Sequence, residues 1–164
     1  GDVYKRQRQH WAVIDGNAIV IMYAGNVPGL TLSDYGLMKC RQLFREKHGI
    51  GLTIIANEGW KQAAPRSVRY TCKWGAAIRP NRIASDCDLV EIAPGYNYRG
   101  NDRGTPRDPV KYKAAWGLAR ESGKKWIAIE TWNEWHEATG IANTVEDGDR
   151  FLRITRDEIR RFKA

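Results

Sequence analysis

Apolar and polar positions along this chain follow two periods, and the period changes several times between residue 17 and the C-terminus. Asn17 to Ala24 is an apolar, β-branched run closed by Gly25-Asn26-Val27-Pro28-Gly29, which predicts a strand and then a turn-rich loop. Ser33 is placed as an N-cap, Leu37, Cys40 and Phe44 recur at helical spacing with Leu43 alongside, and His48-Gly49 supplies the stop. Gly51 to Ala56 is a second short strand, followed by Asn57-Glu58-Gly59-Trp60. The pattern from Lys61 to Pro80 is less regular: Arg66 to Lys73 reads as a short helix and Trp74 to Ile78 as a strand. Asp86 to Ala93 is the next strand, ended by Pro94-Gly95-Tyr96, and a loop rich in Gly, Asn, Asp and Arg runs from Asn97 to Asp108. Pro109 to Ser122 has Pro in its first turn and Gly123 beyond its end, as a helix should. Lys125 to Thr131 is the last strand, and Asp147-Gly148-Asp149 opens a final helix with Leu152, Ile159 and Phe162 on one side.

Repeated strand–helix alternation predicts parallel strands joined by right-handed crossovers. The expected class is therefore α/β, with four such units making half of a (β/α)8, TIM-like barrel; a small open sheet covered on both faces would read the same way. Residues 11–164 are expected to form one α/β domain. Residues 1–10 have neither periodicity nor the apolar stretch of a signal peptide, and read as a disordered or tag-derived leader, so the chain reads as a fragment. The two-residue period of a strand gives a sharper expectation. With Ile127 and Ile129 toward the helices, Ala128, Glu130, Trp132 and Glu134 share the other face; with Val90 and Ile92 outward, Leu89, Glu91 and Ala93 do the same. Glu91 and Glu130 then point to a barrel interior, where an unpaired charge is expensive, so they need basic partners or support a site.

The totals narrow the function classes. The chain has 164 residues, 42% hydrophobic and 28% charged, as in a globular protein with a real core. No apolar run approaches the roughly 20 residues of a membrane-spanning helix. The net charge of +8 invites a polyanion partner, but Lys and Arg are dispersed and no nucleic-acid motif accompanies them. Arg99, Arg103 and Arg107 gather in one loop, to bind an acidic sugar or phosphate or simply to face solvent. Cys40, Cys72 and Cys87 have no zinc spacing and read as small buried residues, with one disulfide open to them.

The chemistry concentrates in Glu130-Thr131-Trp132-Asn133-Glu134-Trp135-His136-Glu137-Ala138-Thr139-Gly140, just past a predicted parallel strand. That edge of an α/β sheet is where ligands bind. Glu134 and Glu137 can divide acid and base roles, as glycosidic bond cleavage requires. Trp132 and Trp135 offer flat faces for a sugar ring, and Asn133 and His136 offer hydrogen bonds to hydroxyls. A plain polar helix face, or a Glu/His/Glu metal site without the HExxH spacing, are the competing readings. Trp60 follows the second strand and belongs to the site rim or to the core. Tyr96 and Tyr98, on the same expected edge, are sugar contacts or loop packing. His10 and His48 have no company that would make them catalytic.

Trp132-Asn133-Glu134-Trp135-His136-Glu137-Ala138-Thr139-Gly140-Ile141 resembles the signature of glycoside hydrolase family 99 and its relatives, the endo-α-mannosidase-like barrels, usually EWHEGTxIE and often preceded by W-N. Glu146-Asp147-Gly148, the Phe-Leu-x-Ile-Thr helix, Pro94-Gly95-Tyr96, Tyr112 and Trp116 are similar to the wider group. The resemblance implies a (β/α)8 fold, an extracellular or periplasmic setting, a polysaccharide or glycan substrate, and no metal or other cofactor. It places on Glu134 the carboxylate that deprotonates the sugar's own 2-hydroxyl, and on Glu137 the acid/base that protonates the leaving oxygen. Ala138 departs from the usual Gly, and Gly140-Ile141-Ala142 from the polar-Ile-Glu ending. Half a barrel would expose sheet edges, so a homodimer is expected, checkable by solution size at micromolar concentration. The functional alternatives are a non-catalytic carbohydrate-binding remnant of such a barrel and, more weakly, a polyanion-binding domain.

Overall fold

Asp15 and Gly16 both take positive φ, 51° and 74°, the backbone of a tight two-residue hairpin turn. They join β1 (Val13–Ile14) to β2 (Asn17–Met22) in antiparallel register. The computed structural model describes residues 11–23, 33–75, 83, 86–98 and 104–163. The chain forms two compact units, residues 1–72 and 73–164.

In the first unit β2 runs parallel to β3 (Leu52–Asn57), and β3 parallel to β4 (Val68–Cys72), giving the order β1-β2-β3-β4. The crossovers contain α1 (Asp34–His48) and the short α2 (Glu58–Ala63). Helix α1 starts where the cap predicts: Ser33 Oγ accepts from the Gly36 amide at 3.3 Å. It stops at Gly49, whose φ of 72° lets its amide reach the Arg45 carbonyl at 2.7 Å. Its buried contribution is Leu37, packed with Ile54, Ala56, Trp60, Ala64 and Val68. Cys40 is exposed, against the expectation of a buried thiol, whereas Cys72 and Cys87 are buried.

The helix expected over Arg66 to Lys73 is a strand. Val68, Tyr70 and Thr71 are β-branched or aromatic and can pair with β3, with one register shift between Ile54 and Ile55; sheet pairing outweighs a weak helical period. The local helix forms one step earlier, directly after β3. Of the strand expected over Trp74 to Ile78, only Trp74 and Gly75 are described, and neither is in a strand; the loop Gly25–Gly29 lies outside the described residues.

The first turn of α1 also anchors the segment before β4. Asp34 accepts from the amides of Arg66 (3.2 Å) and Ser67 (3.0 Å), and Ser67 Oγ donates to the Asp34 carbonyl at 3.1 Å. Partial burial pushes the Asp34 carboxyl up, but the Ser67 side chain, the two amides and the Arg66 charge together hold it below its ordinary value. A depressed folded pKa means that the unfolded chain binds the proton first. The stability it adds is present above the unfolded pKa, about 3.9, and is lost as pH falls through the folded pKa. Asp34→Asn should therefore flatten the acid limb of a stability-versus-pH curve below about pH 4. An unchanged acid limb would show that these bonds do not form in solution.

In the second unit β5 (Leu89–Ile92) pairs in parallel with β6 (Trp126–Ile129). Helix α3 (Pro109–Glu121) lies between them in sequence, and α4 (Arg150–Lys163) follows. Asp108 caps α3, accepting from the amides of Val110 (2.8 Å) and Lys111 (3.2 Å) ahead of Pro109 in the first turn. Val90 and Ile92 lie in one core with Tyr112, Trp116, Phe151 and Ile154, and Ile127 and Ile129 pack against it. The two-residue period therefore holds through both strands. Leu152, Ile159 and Phe162 only flank this core; the buried stripe of α4 is Phe151, Ile154, Thr155 and Glu158. Its two polar members are paired, Thr155 with the Tyr112 hydroxyl at 2.9 Å and Glu158 with Arg120 and Arg161.

Candidate active site

Strand β6 ends at Ile129, and the next residue, Glu130, is 2% exposed. One partner of its carboxylate is a backbone amide rather than a basic side chain: Gly75 N donates to Oε1 at 2.7 Å. Glu91 is buried as well, at 7% exposure. The alternation goes no further. The Glu130–Thr131 peptide is cis, and Trp132 and Glu134 lie beyond the strand on a loop that closes on itself.

That closure is made by small polar residues. Thr131 N donates to the Thr139 carbonyl at 3.0 Å, Ile141 N to Thr131 at 3.0 Å, and Ala142 N to Trp132 at 2.8 Å. The hydroxyls of Thr131 and Thr139 meet at 3.0 Å, and Thr131 Oγ1 also accepts from the Glu134 amide at 3.2 Å. Gly140 makes the close approach possible: a Cβ there would stand 3.1 to 3.2 Å from the backbone of Trp132, Asn133 and Glu134. Between these ties, Trp135–Glu137 form one 3-10 turn, closed by the Ala138 amide on the Trp135 carbonyl at 3.0 Å.

The loop thus fixes its backbone and leaves its side chains outward. Trp132 and Trp135 are 60% and 59% exposed, far from the behaviour of core indoles. Asn133 is exposed and Glu137 partly so. Glu134, 42% exposed, meets His136 Nδ1 with Oε1 at 2.7 Å, and Tyr98 sets its ring edge-on to His136 at 5.9 Å. Glu137 carries its own tether, since its carbonyl accepts from Asn97 N in the loop after β5 at 2.8 Å. Tyr96 is half-buried and bridged to Thr105, with Tyr96 N on the Thr105 carbonyl at 2.7 Å, which serves loop packing. Trp60 takes the core reading of its two: at 5% exposure it packs in the core of the first unit rather than on a rim.

Arg107 is the residue that sequence reasoning undervalued. Instead of facing solvent, it donates from Nη1 to the carbonyls of Ala138 (2.9 Å) and Gly140 (2.6 Å). Its Nε pairs with Asp147 at 2.8 Å, the two side chains being 15% and 18% exposed, and its guanidinium stacks 4.3 Å from the Phe151 ring. One arginine therefore ties the end of this loop to the start of α4. Gly95 lets this happen, because a Cβ there would come within 2.7 Å of the Arg107 backbone. The Asp147 carboxylate three residues before α4 was the available signal, but nothing in the spacing links it to Arg107. Arg99 and Arg103 lie outside the described residues. Among the described residues no group of three or more His, Cys, Asp or Glu is gathered to hold a metal.

Ala138 has φ of 57°, in the left-handed region where a Cβ is strained by about 1–2 kcal/mol. Glycine would remove that strain at a cost of about 0.5–1 kcal/mol in chain entropy. Ala138→Gly should therefore raise stability by about 0.5 kcal/mol, read as a rise of about 2 °C in Tm. A fall in Tm would show that the methyl group packs favourably enough to outweigh the strain.

Parallel strands joined through helices, with the polar loop at the C-terminal end of β6, are the elements of a partial (β/α)8, TIM-like barrel. The solved structure of the family 99 endo-α-mannosidase from Bacteroides thetaiotaomicron in complex with BIS-TRIS-propane matches 98% of this chain with a TM-score of 0.68 at 15% identity. A second structure of that enzyme matches 93% with a TM-score of 0.64 at 15% identity, and a glycoside hydrolase-like protein matches 94% with 0.64 at 19%. The fold that the sequence resemblance implied is therefore found. The chain spans 63%, 56% and 57% of the lengths of those three structures. No protein-family model matches the sequence, and no curated protein is similar to it.

Proposed function

We propose that this chain carries the catalytic edge of a glycoside hydrolase acting on a neutral glycan, with α-mannan as the first substrate to test. One observation carries the reading: Glu134 and Glu137 lie on a backbone-locked loop after a parallel strand, in the same loop as two exposed indoles. Such a loop holds acid and base in fixed geometry, the condition under which positioned proton transfer accelerates a reaction.

The roles follow the fold likeness and the motif. Glu134 takes the proton from the sugar's 2-hydroxyl as that oxygen bonds to the anomeric carbon. Glu137 gives its proton to the glycosidic oxygen as the bond to it breaks. Water then adds to the anomeric carbon, losing its proton to Glu137, as the bond from that carbon to the 2-oxygen breaks and Glu134 returns its proton to the 2-oxygen. Two inversions leave the configuration retained. His136, on Glu134 Oε1 at 2.7 Å, orients the base. Trp132 and Trp135 stack sugar rings, and Asn133 bonds hydroxyls.

The test is release of oligosaccharides from α-mannan and from a panel of other neutral and acidic polysaccharides, with the anomer of the first product followed by NMR. Retained product from a neutral glycan is the expected result. Binding without cleavage would replace this reading with a carbohydrate-binding domain that retains the motif. Salt-sensitive binding to polyanions alone would point instead to the +8 charge.

A further inference from the structure

Beside the catalytic loop, the second unit contains a cleft of about 670 Å³. Trp135 and Ala138 form part of its lining, Asn143 and the hairpin Thr144–Gly148 another part, and the Arg107–Asp147 pair also contributes. That volume is in the range of small-molecule sites. The hairpin is a built element: Thr144 N meets the Gly148 carbonyl at 3.2 Å, Gly148 N returns to Thr144 at 2.9 Å, and Asp147 N bonds Thr144 Oγ1 at 3.0 Å.

The lining selects among ligands. Trp135 presents an exposed aromatic face, suited to the C–H face of a pyranose. Asn143 and Glu146, both exposed, supply a donor-acceptor amide and a carboxylate for hydroxyls. Arg107 offers an anion little, because its charge is matched by Asp147, its Nη1 is spent on two carbonyls, and its unpartnered Nη2 is buried away from the cleft surface. The exposed Glu146 adds a negative charge that no salt bridge offsets among the described residues. The cleft is also continuous with the reactive loop, since Ala138 is bonded to Glu137, a Cα step of about 3.8 Å.

We infer that this cleft is an additional subsite for a neutral sugar residue of the substrate chain, and that it discriminates against acidic glycans. The inference rests on the glycosidase reading above for its substrate class, but it is tested by binding rather than by cleavage. The Glu137→Gln protein is titrated calorimetrically with α-mannan oligosaccharides of two to six residues and with oligogalacturonates of the same lengths. Affinity for the neutral series should rise at least about tenfold at one step in chain length, a gain of about 1.4 kcal/mol. Asn143→Trp, which fills the cleft from an exposed position, should abolish that step and leave disaccharide affinity within about twofold. Glu146→Lys should admit the oligogalacturonates that the parent rejects.

Equal affinity at every length, equal loss at every length in Asn143→Trp, or tight oligogalacturonate binding by the parent would each overturn the subsite. Absence of any binding would overturn it too. Cleavage by the unmodified chain with no length step defeats the subsite and spares the hydrolase. A length step in a chain that cleaves nothing does the reverse.

Discussion

Arg107→Ala is expected to lower the unfolding free energy of the second unit by about 3 kcal/mol. The substitution leaves the Asp147 carboxylate, only 18% exposed, without its guanidinium partner. It also leaves the carbonyls of Ala138 and Gly140 without a charged donor and uncovers one face of Phe151. Breaking a buried ion pair from one side typically costs about 3–5 kcal/mol, and slight exposure places this pair at the low end. In urea the transition should move down by about 1–2 M, with the slope in the ordinary range. Arg107→Lys should recover less than half, because an ammonium has no planar fork to serve a carboxylate and two carbonyls together. Asp147→Asn should cost less than Arg107→Ala, since the arginine keeps its carbonyl bonds. A shift below about 1 kcal/mol in Arg107→Ala would place the pair among ordinary surface salt bridges.

Local chemistry was legible wherever one residue type decides one backbone state. Ser33 and Gly49 bound α1 as a cap and a left-handed stop, and Asp108-Pro109 opens α3 in the same way. Strand faces were legible through β5 and β6, because Val90, Ile92, Ile127 and Ile129 must meet the helices and Glu91 and Glu130 cannot. The Asp15-Gly16 turn was equally readable, with apolar residues on both sides, yet a two-residue strand is too short to show alternation. Val68–Cys72 was lost for a different reason. Its strand exists through pairing with β3, a contact that sequence separation hides from any local window.

The same distinction divides the candidate site. The residues of the motif announce themselves by composition, since carboxylates between tryptophans make no sense in a core or on an ordinary surface. What holds them does not. Thr131 against Thr139 and Gly140 against Trp132 pair across the loop itself, and Arg107 reaches the Ala138 and Gly140 carbonyls from far along the chain, all pairings of unremarkable residues. Trp60 shows the converse: a tryptophan after a strand fits a rim or a core, and the packing with Leu37, Ile54 and Val68 decides for the core.

On the mechanism proposed above, which also assigns the role of Glu134, Glu137→Gln is expected to reduce kcat on a natural glycan by about 10³-fold while leaving the fold intact, because general acid catalysis contributes about 10²–10⁴. The fold should survive because Glu137 is tethered through its main-chain carbonyl to Asn97, which the side-chain change does not touch. An amide can hold the position but cannot deliver a proton to the leaving oxygen. The defect must therefore shrink when the leaving group needs no proton. On an aryl glycoside with an acidic phenol, bond cleavage in Glu137→Gln should recover by about 10²-fold relative to the natural substrate. Glu134→Gln should lose a comparable amount on both substrates, because the 2-hydroxyl must be deprotonated whatever group departs. Its cost in stability should be small, as Glu134 is 42% exposed and its side chain meets the half-exposed ring of His136. If Glu134→Gln is rescued by the good leaving group and Glu137→Gln is not, the two roles are exchanged. If neither substitution changes the rate, this loop is not the seat of the chemistry.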